Sequence, residues 1–502
     1  MSSGRITAGE FFRKKLENYK YSREASGYGI VKSSSDGIVS VEGLSSCRFT
    51  ELLRFENDEY GLALELYENG VSAVLLSEGS TINTGSVVFG TGRVADIGVG
   101  ESLLGRIVDP IGRPLDEMPL TAEEYRAVEM PAPSITERAP VNQQLETGIL
   151  AIDSMISIGR GQSELIIGDS QTGKTSVALS AIMNQAGKNV VCIYCAAGQK
   201  ASNVAASVKM LKESGAMEYT AVVASTAGDS AALQYLAPFS ACSIAEYFMY
   251  KGRDVLIVYD DLSKHAAAYR EMSLLLRRPF GREAYPGDVF WLHSRLLERA
   301  AKLSDKYSGG SMTALPIAET TAGNISAYIP SNVISITDGQ IYLDRELFNA
   351  GIRPAINVGL SVSRTGRAAQ HEAIKKVSGN LRTEAAYYRD MAVLAQFAAD
   401  DSDAAASLKR GEQLMSLLQQ SQRITMSLSE QVCILIAFGS HIFGGTSVSD
   451  LPYVRDCLLE KLKNDICDVM AEIDETGMLS EQNMQTVRQA AAAAVSEINQ
   501  NN

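Results

Sequence analysis

Residues 168–176 read GDSQTGKTS and match the G-x-x-x-x-G-K-[ST] pattern of a phosphate-binding loop. The apolar run ELII precedes the loop and the helical stretch SVALSAIMNQ follows it. The glycines let the backbone turn its N–H groups toward a phosphate, and the helix N-terminus adds partial positive charge. The lysine reaches the outer phosphates, and the next hydroxyl can ligate Mg²⁺. The predicted nucleotide-contacting residues of the loop are Gly168, Asp169, Ser170, Gln171, Thr172, Gly173, Lys174, Thr175 and Ser176.

A second element of a magnesium site is an acidic residue at the tip of a neighbouring strand. The run DVLIVYDD supplies one, because Asp260 is the first polar residue after Val255–Tyr259. We therefore expect Asp260 to hold Mg²⁺ through water, together with the hydroxyl of Thr175. The alternative is that Asp260 only caps the next helix.

The strand-like run VVCIYCAAGQK ends at Gln199, where a hydrolase would place the residue that orients the attacking water. An amide can position water but cannot accept its proton, so general-base assistance worth roughly 10²–10⁴ in rate is missing. Some GTPases work with Gln, so the residue alone does not prove inactivity. The alternative is a polar turn residue that does not contact nucleotide.

An arginine follows another strand-like run, INVGLSVS, just before the C-terminal part of the chain. The expected strand order does not require Arg364 to face the phosphate loop of its own chain. An arginine supplied across an interface can stabilise a transferring phosphoryl group, worth about 10³–10⁵ in rate. The alternative is a surface arginine paired with a carboxylate.

The elements that must position these residues fall into three regions. Short alternating runs separated by Gly, Asn and Asp turns predict a small antiparallel β-barrel. Apolar strands alternating with helices then predict an α/β phosphate-loop domain of the RecA-like class, and the remainder has helical spacing. The predicted limits are 1–25 for an N-terminal helical segment, 26–93 for the barrel, 94–370 for the nucleotide-binding domain and 371–502 for a helical bundle.

Composition excludes several classes of protein. The chain has 502 residues and a net charge of −13, which argues against a nucleic-acid binder that needs a basic stripe. Seven unpatterned cysteines indicate reduced thiols, and the C-x-x-C pair Cys192 and Cys195 should diverge on a strand rather than form a redox site. The longest apolar run, CILIAFG, is too short to cross a bilayer, and the N-terminus lacks a signal peptide, so we expect a soluble protein at most peripheral to a membrane.

The residues also resemble a known family, the alpha subunits of the rotary F-type ATP synthase, a proton-translocating two-sector ATPase. The resemblance covers about residues 26–425 and includes GDSQTGKTS, GQKAS, YDDLSKHAAAYREMSLLLRRPFGREAYPGDVFWLHSRLLERAAKLS and SAYIPSNVISITDGQIYLDRELFNAGIRPAINVGLSVSR. Gln in GQK, where the beta subunit has Glu, marks the alpha rather than the beta subunit.

That resemblance implies a non-catalytic subunit in an alternating hexamer of three alpha and three beta chains around a gamma shaft. Delta and b stator chains would bind the N-terminal segment, at the cytoplasmic face of a bacterial inner membrane or the equivalent organelle side. The implied cofactors are ATP or ADP and Mg²⁺. The implied roles are nucleotide binding by Lys174, Thr175, Asp260 and Gln199, adenine contacts by Phe348, Arg353, Pro354, Gln420 and Gln422, and a trans arginine, Arg364, with Ser335 nearby.

The chain departs from the family pattern at four positions. Where the family usually reads GQRELIIGDRQTGKT, this sequence has Ser163 and Ser170 in place of both arginines. Asn324 replaces the usual Asp and Arg367 stands where Ser is common, both in segments that the family places at subunit contacts. Loss of a cation beside the triphosphate should lower the nucleotide affinity of the chain's own site.

Two other functions remain open from the sequence. A secretion-apparatus ATPase that forms a homohexamer would carry an acid in place of Gln199, and ATP turnover by the purified chain alone would favour it. An RNA-translocating ring also places a small barrel before a phosphate-loop domain, but the acidic charge and the lack of an aromatic and basic patch argue against it.

The substitution Ser170→Arg tests the predicted loss of affinity. Restoring a cation beside the phosphates should add a charge-assisted contact and tighten ATP binding about tenfold in an equilibrium titration. Ser170→Gln adds length without charge and serves as the control. Equal affinities of Ser170→Arg and the unaltered chain would show that Ser170 does not limit binding.

Overall fold

The computed structural model describes residues 27–77, 82–394, 402–422 and 424–501. The predicted N-terminal helical segment, residues 1–25, lies outside them. The chain forms two compact units, one that ends at Ala95 and one that begins at Asp96. The four finer domain limits proposed from the sequence stay predictions.

In the described part of the first unit, six antiparallel strands close into a barrel in the order β1-β2-β5-β4-β3-β6. Tyr28–Ser35 begins with, and Ile38–Gly43 shows, an alternation of buried and more exposed residues, as a closed sheet with a filled interior requires. Val39, Leu53 and Phe55 lie in its core. The strands are β1 (Tyr28–Ser35), β2 (Ile38–Gly43), β3 (Glu51–Phe55), β4 (Tyr60–Tyr67), β5 (Gly70–Leu75) and β6 (Val87–Val94).

The second unit is built on a largely parallel sheet whose order is β19-β18-β12-β17-β15-β13-β14-β8, with β16 paired to β17. Its central strands are buried along their whole length, which explains their continuous apolar sequences. The sheet strands are β8 (Ile107–Val108), β12 (Leu165–Asp169), β13 (Val190–Gln199), β14 (Thr220–Thr226), β15 (Asp254–Asp260), β16 (Ala301–Lys302), β17 (Ser311–Thr320), β18 (Gly339–Leu343) and β19 (Val362–Ser363). Two small ribbons join β7 (Asp96–Val99) to β9 (Glu124–Ala127) and β10 (Gln144–Leu145) to β11 (Ile158–Gly159).

Helices cover the sheet and then continue alone to the C-terminal region, as the alternating and helical patterns predicted. The helices up to the last strand are α1 (Leu150–Met155), α2 (Lys174–Met183), α3 (Ala201–Glu213), α4 (Ala231–Tyr250), α5 (Leu262–Leu275), α6 (Val289–Leu297), α7 (Tyr328–Ile336) and α8 (Arg345–Asn349). The later helices are α9 (Gly366–Ala369), α10 (Glu372–Val377), α11 (Leu381–Leu394), α12 (Ser402–Leu417), α13 (Leu428–Gly439), α14 (Leu451–Asp465), α15 (Cys467–Thr476) and α16 (Glu481–Asn501). Barrel, α/β domain and helical region thus follow in the predicted order.

One expected strand is much shorter than its sequence suggested. Within the run INVGLSVS only Val362–Ser363 forms a strand, and Ile356 forms an isolated bridge with Leu343. The carbonyl oxygen of Asn357 accepts hydrogen bonds from the backbone N–H and the hydroxyl of Ser361, which closes a local turn. Polar side chains that bond to nearby backbone compete with the pairing of a sheet.

A buried ion pair joins α4 to the segment that follows α6. The Arg299 guanidinium donates to both carboxylate oxygens of Glu246 at 2.7 and 2.8 Å, and also to the Val128 carbonyl and the Ser243 hydroxyl. Neither charged side chain is more than 1% exposed. Removal of one partner of such a pair strongly destabilises the fold, because the other charge stays buried without compensation.

Replacement of Glu246 by Gln should therefore destabilise the fold by about 3–5 kcal/mol, seen as a lower midpoint of urea unfolding. The control is Glu213→Gln, which removes one partner of the exposed pair Lys209–Glu213 and should cost less than about 0.5 kcal/mol. Similar midpoints for both variants would contradict the importance of burial.

Candidate nucleotide-binding site

The phosphate loop connects β12 to α2 at the carboxyl edge of the sheet. A Cβ at Gly168 would lie 2.4 Å from the Leu343 carbonyl oxygen, so only glycine permits β18 to approach so closely. Gly173 has φ 94° and precedes the first residue of α2, where glycine adopts the left-handed conformation without strain. The loop can therefore curl around a phosphate only with glycine at both positions.

Within the loop, the Lys174 ammonium is nearly buried and donates to the Asp169 carbonyl oxygen at 2.6 Å. It also lies 3.6 Å from a carboxylate oxygen of Glu319. Burial lowers the pKa of Lys174, and the neighbouring carboxylates oppose that shift. The Asp169 side chain accepts from the Thr320 hydroxyl and the Gly323 N–H, which fixes the start of the loop to the end of β17.

Asp260 lies at the end of β15, two strands from the phosphate loop, and is the centre of a hydrogen-bond network. Its carboxylate accepts from the Thr175 hydroxyl at 2.8 Å, the Tyr194 hydroxyl at 2.9 Å and the Gln199 amide at 2.6 Å. Burial raises the pKa of Asp260, whereas the hydrogen bonds from Thr175 and Tyr194 oppose the rise. Asp261, not Asp260, caps the next helix, since its side chain accepts from the Lys264 N–H.

Gln199 is held at both ends of its amide. The Lys264 ammonium donates to its Oε1 at 2.7 Å, and its Nε2 donates to Asp260 at 2.6 Å. An ammonium has no acceptor and an ionised carboxylate has no donor, so only this orientation of the amide satisfies both neighbours. The side chain is 7% exposed and has one fixed orientation between opposite charges.

Two adjoining cavities lie over the loop. The larger one measures about 660 Å³ and is lined by the predicted residues Ser170, Gln171, Gly173, Lys174, Thr175, Ser176, Gln199 and Asp260. A smaller cavity of about 40 Å³ is lined by Thr172, Gly173 and Ser176 and by the five residues expected around adenine, Phe348, Arg353, Pro354, Gln420 and Gln422.

The side chains around the smaller cavity differ in what they offer a ligand. The Arg353 guanidinium stacks over the Phe348 ring at 4.8 Å. The Gln420 amide is hydrogen-bonded to backbone groups: it donates to the Gly148 and Ile424 carbonyls and accepts from the Leu150 N–H. Gln420 therefore shapes the wall of this cavity rather than presenting free polar atoms.

Sequence reasoning missed three charged residues of the larger cavity, Lys200, Lys264 and Glu319. Glu319 lies near the carboxyl end of β17, and a polar residue ending a buried parallel strand was a usable signal. Lys264 lies in the first turn of the helix after β15, which the loop and strand patterns do not distinguish from other surface lysines.

Arg364 lies at the other end of the sheet. It follows β19, whose Ser363 pairs with Gly339, the first residue of β18, whereas the phosphate loop follows the last residue of β12. Five residues of parallel strand separate these ends, which is about 16 Å. The exposed Arg364 guanidinium makes no hydrogen bond or ion pair with another described residue.

Ser335 is also exposed, on α7 shortly before β18 begins, and its hydroxyl donates to the Asn332 carbonyl.

The oxygen ligands around Asp260 fit a magnesium ion that is held jointly with phosphates. Among the described residues, no group of three or more His, Cys, Asp or Glu side chains could hold a metal alone. The Thr175 hydroxyl and the Asp260 carboxylate are 2.8 Å apart beside the loop. Mg²⁺ usually takes one or two protein oxygens plus waters and substrate phosphates, which suits this pair.

Fold and loop together define a phosphate-loop nucleotide-binding protein. The model of the ATP synthase alpha/beta family, nucleotide-binding domain, matches residues 148–363, and that of the ATP synthase alpha/beta chain, C terminal domain, matches residues 370–494. None of the described helices is long and apolar enough to cross a membrane.

Curated relatives extend this likeness over nearly the whole chain. The chain is 52% identical over 482 residues to ATP synthase subunit alpha of Acetivibrio thermocellus, covering 95% of both proteins. It is 52% identical over 480 residues to the same subunit of Caldanaerobacter subterraneus subsp. tengcongensis, again 95% of each. The Clostridium botulinum subunit is 52% identical over 472 residues, 94% of each. The chain therefore belongs to the alpha subunit family of the F-type ATP synthase.

Glu164, the residue before β12, generates a prediction about pH. Burial and the charge of Asp338 raise the pKa of Glu164 well above its ordinary 4.5, while Arg364 opposes the rise. Folding then takes up a proton between pH 4.5 and the higher folded pKa, so stability falls as pH rises through that window. In Glu164→Gln this dependence is absent.

We expect the urea midpoint of Glu164→Gln, relative to the unaltered chain, to increase from about pH 5 to about pH 8. The exposed control Glu475→Gln reports the effect of removing one charge. If the difference in urea midpoint between Glu164→Gln and the unaltered chain did not change with pH, the Glu164 carboxyl would ionise equally in the folded and unfolded states.

Proposed function

We propose that this chain is the non-catalytic nucleotide-binding subunit of an ATP synthase, which makes ATP from ADP and phosphate with a proton gradient or hydrolyses ATP in reverse. It binds Mg-ATP or Mg-ADP at its own phosphate loop without efficient turnover. It lends Arg364 to the catalytic site of a neighbouring beta chain. The chain alone is then inactive.

The observation that carries the proposal is the fixed amide of Gln199. A hydrolytic site needs an acceptor that can take or orient a water proton. The only acceptor atom of this amide, Oε1, already accepts a hydrogen bond from the Lys264 ammonium, and its Nε2 donates to Asp260. Binding groups thus surround the phosphates, while a general base is missing from the position next to them.

The placement of Arg364 supports the second half of the proposal. Its guanidinium projects from the sheet end opposite the chain's own loop and is exposed. A cation placed there can meet only a phosphate held by another chain. Ser335 near the same end would add a hydroxyl to the neighbour's site.

The family suggests the surroundings of this subunit. We propose three alpha and three beta chains alternating around gamma, with delta and b stator chains bound through the N-terminal segment. The complex would lie peripherally at the cytoplasmic face of a bacterial membrane. When bound, Mg²⁺ would neutralise phosphate charge beside Thr175 and Asp260, while Lys174 contacts the outer phosphates and Phe348 and Arg353 face the base.

Co-expression with candidate beta and gamma chains tests the proposal. In the assembled complex, Arg364→Ala should lower the ATPase rate by about 10³–10⁵-fold, because a cation that stabilises transferring phosphoryl charge is lost. The control is Arg367→Ala, which removes an exposed arginine from the same edge and should leave most activity. Near-equal rates for Arg364→Ala and the unaltered complex would remove Arg364 from the mechanism.

A further inference from the structure

Gln162, three residues before β12 begins, is fully buried and forms four side-chain hydrogen bonds. Its Oε1 accepts from the Gly159 N–H at 2.9 Å and from the Thr365 hydroxyl at 2.5 Å. Its Nε2 donates to Glu164 at 2.6 Å and to the Ser363 hydroxyl at 3.0 Å. Every donor and acceptor of this amide is therefore used.

Two of these partners, Ser363 and Thr365, are the residues on either side of Arg364. The Ser363 hydroxyl also donates to the Ser157 carbonyl, and the Arg364 N–H donates to the Asp338 carbonyl at 2.9 Å. The backbone at Arg364 is thus fixed on both sides and at its own N–H. The guanidinium itself forms no hydrogen bond with another described residue.

Glu164 helps to fix Gln162 because its carboxylate accepts a hydrogen bond from the Gln162 amide. A Cβ at Gly339, the first residue of β18, would lie 2.2 Å from the Val362 carbonyl oxygen and 2.6 Å from Oε2 of Glu164, so only glycine permits β19 and this carboxylate to approach so closely. Glu164 is fully buried, and its Oε1 has no hydrogen-bond partner in the part of the chain that the structure describes. A buried carboxyl group with one unsatisfied oxygen is costly, which suggests a purpose other than stability.

We infer that Gln162, backed by Glu164, is a positioning residue that holds Ser363 and Thr365 so that Arg364 points into the neighbouring subunit's site. The inference rests on the proposed trans role of Arg364. A long arginine side chain loses entropy when it is aimed, and a rigid backbone on both sides reduces the number of directions available to it. Misplacement of a charge-stabilising group by about 1 Å can cost about 100-fold in rate.

The test is Gln162→Met in the complex assembled with beta and gamma chains, since methionine has similar length but forms none of the four bonds. We expect kcat to fall about 10–100-fold with little change in KM for ATP, because the nucleotide-binding groups of the beta site are untouched. In an Arg364→Ala background the same substitution should change kcat by less than about twofold, because the residue acts only through the arginine.

Gln185→Met is the matched control. Gln185 is an equally buried amide that bonds the Glu146 and Ala181 carbonyls, and its loss should leave kcat of the assembled complex unchanged. If Gln162→Met prevents assembly, Thr365→Val decides, since it removes one hydroxyl and should lower kcat by about fivefold, again only when Arg364 is present.

Two results would overturn the inference while leaving the trans arginine in place. One is full activity of Gln162→Met, or of Thr365→Val where Gln162→Met does not assemble, beside an inactive Arg364→Ala. The other is a loss that multiplies with that of Arg364→Ala, which would mark a structural role independent of the arginine. An active Arg364→Ala complex would instead defeat the proposed function itself.

Discussion

The parallel pairing of β12 with β17 and β18 is the constraint on which the rest of the site depends. It places the carboxyl ends of these strands at one edge, where the phosphate loop, Glu319 and, farther along the sheet, Asp260 meet. The same pairing places the start of β18, and with it Arg364, at the opposite edge. Because the length of a buried strand is fixed, the chain cannot bring Arg364 to its own phosphates without breaking the sheet.

Electrostatics explains why an amide suits the position of Gln199. A carboxylate there would face Asp260 at the 2.6 Å now bridged by an N–H donor, and two carboxylates at that distance cannot both stay ionised. Lys264 would then pair with one of them instead of donating to an amide oxygen. A carboxylate at position 199 would therefore disturb its neighbours, because the surrounding donors and acceptors are matched to a neutral group.

Much of this arrangement could be predicted from local sequence, and the failures have two causes. The loop at Gly168–Ser176 and the strand before Asp260 carry their own patterns, so their elements were predictable. Lys264 contacts Gln199, which lies 65 positions away in the sequence, and Gln162 contacts Ser363, which lies 201 positions away. No local pattern encodes contacts of this kind. The strand predicted before Arg364 is shorter than expected because the Ser361 hydroxyl donates to the nearby Asn357 carbonyl. Residue propensities do not reveal this local competition with sheet pairing.

The phosphate loop and Arg364 lie at opposite edges of the sheet, so the two edges of the chain present different chemical groups. Under the proposed function, each contact joins unlike patches, the arginine edge of one chain and the phosphate edge of the next. Contacts of this kind generate closed rings when the rotation closes, and open filaments when it does not. Fixing Arg364 through Gln162 then does more than aim one side chain. Under the proposed function, it would limit the angle at which the next phosphate site can meet this edge, so the buried amide would link the chemistry of the interface to the geometry of the ring.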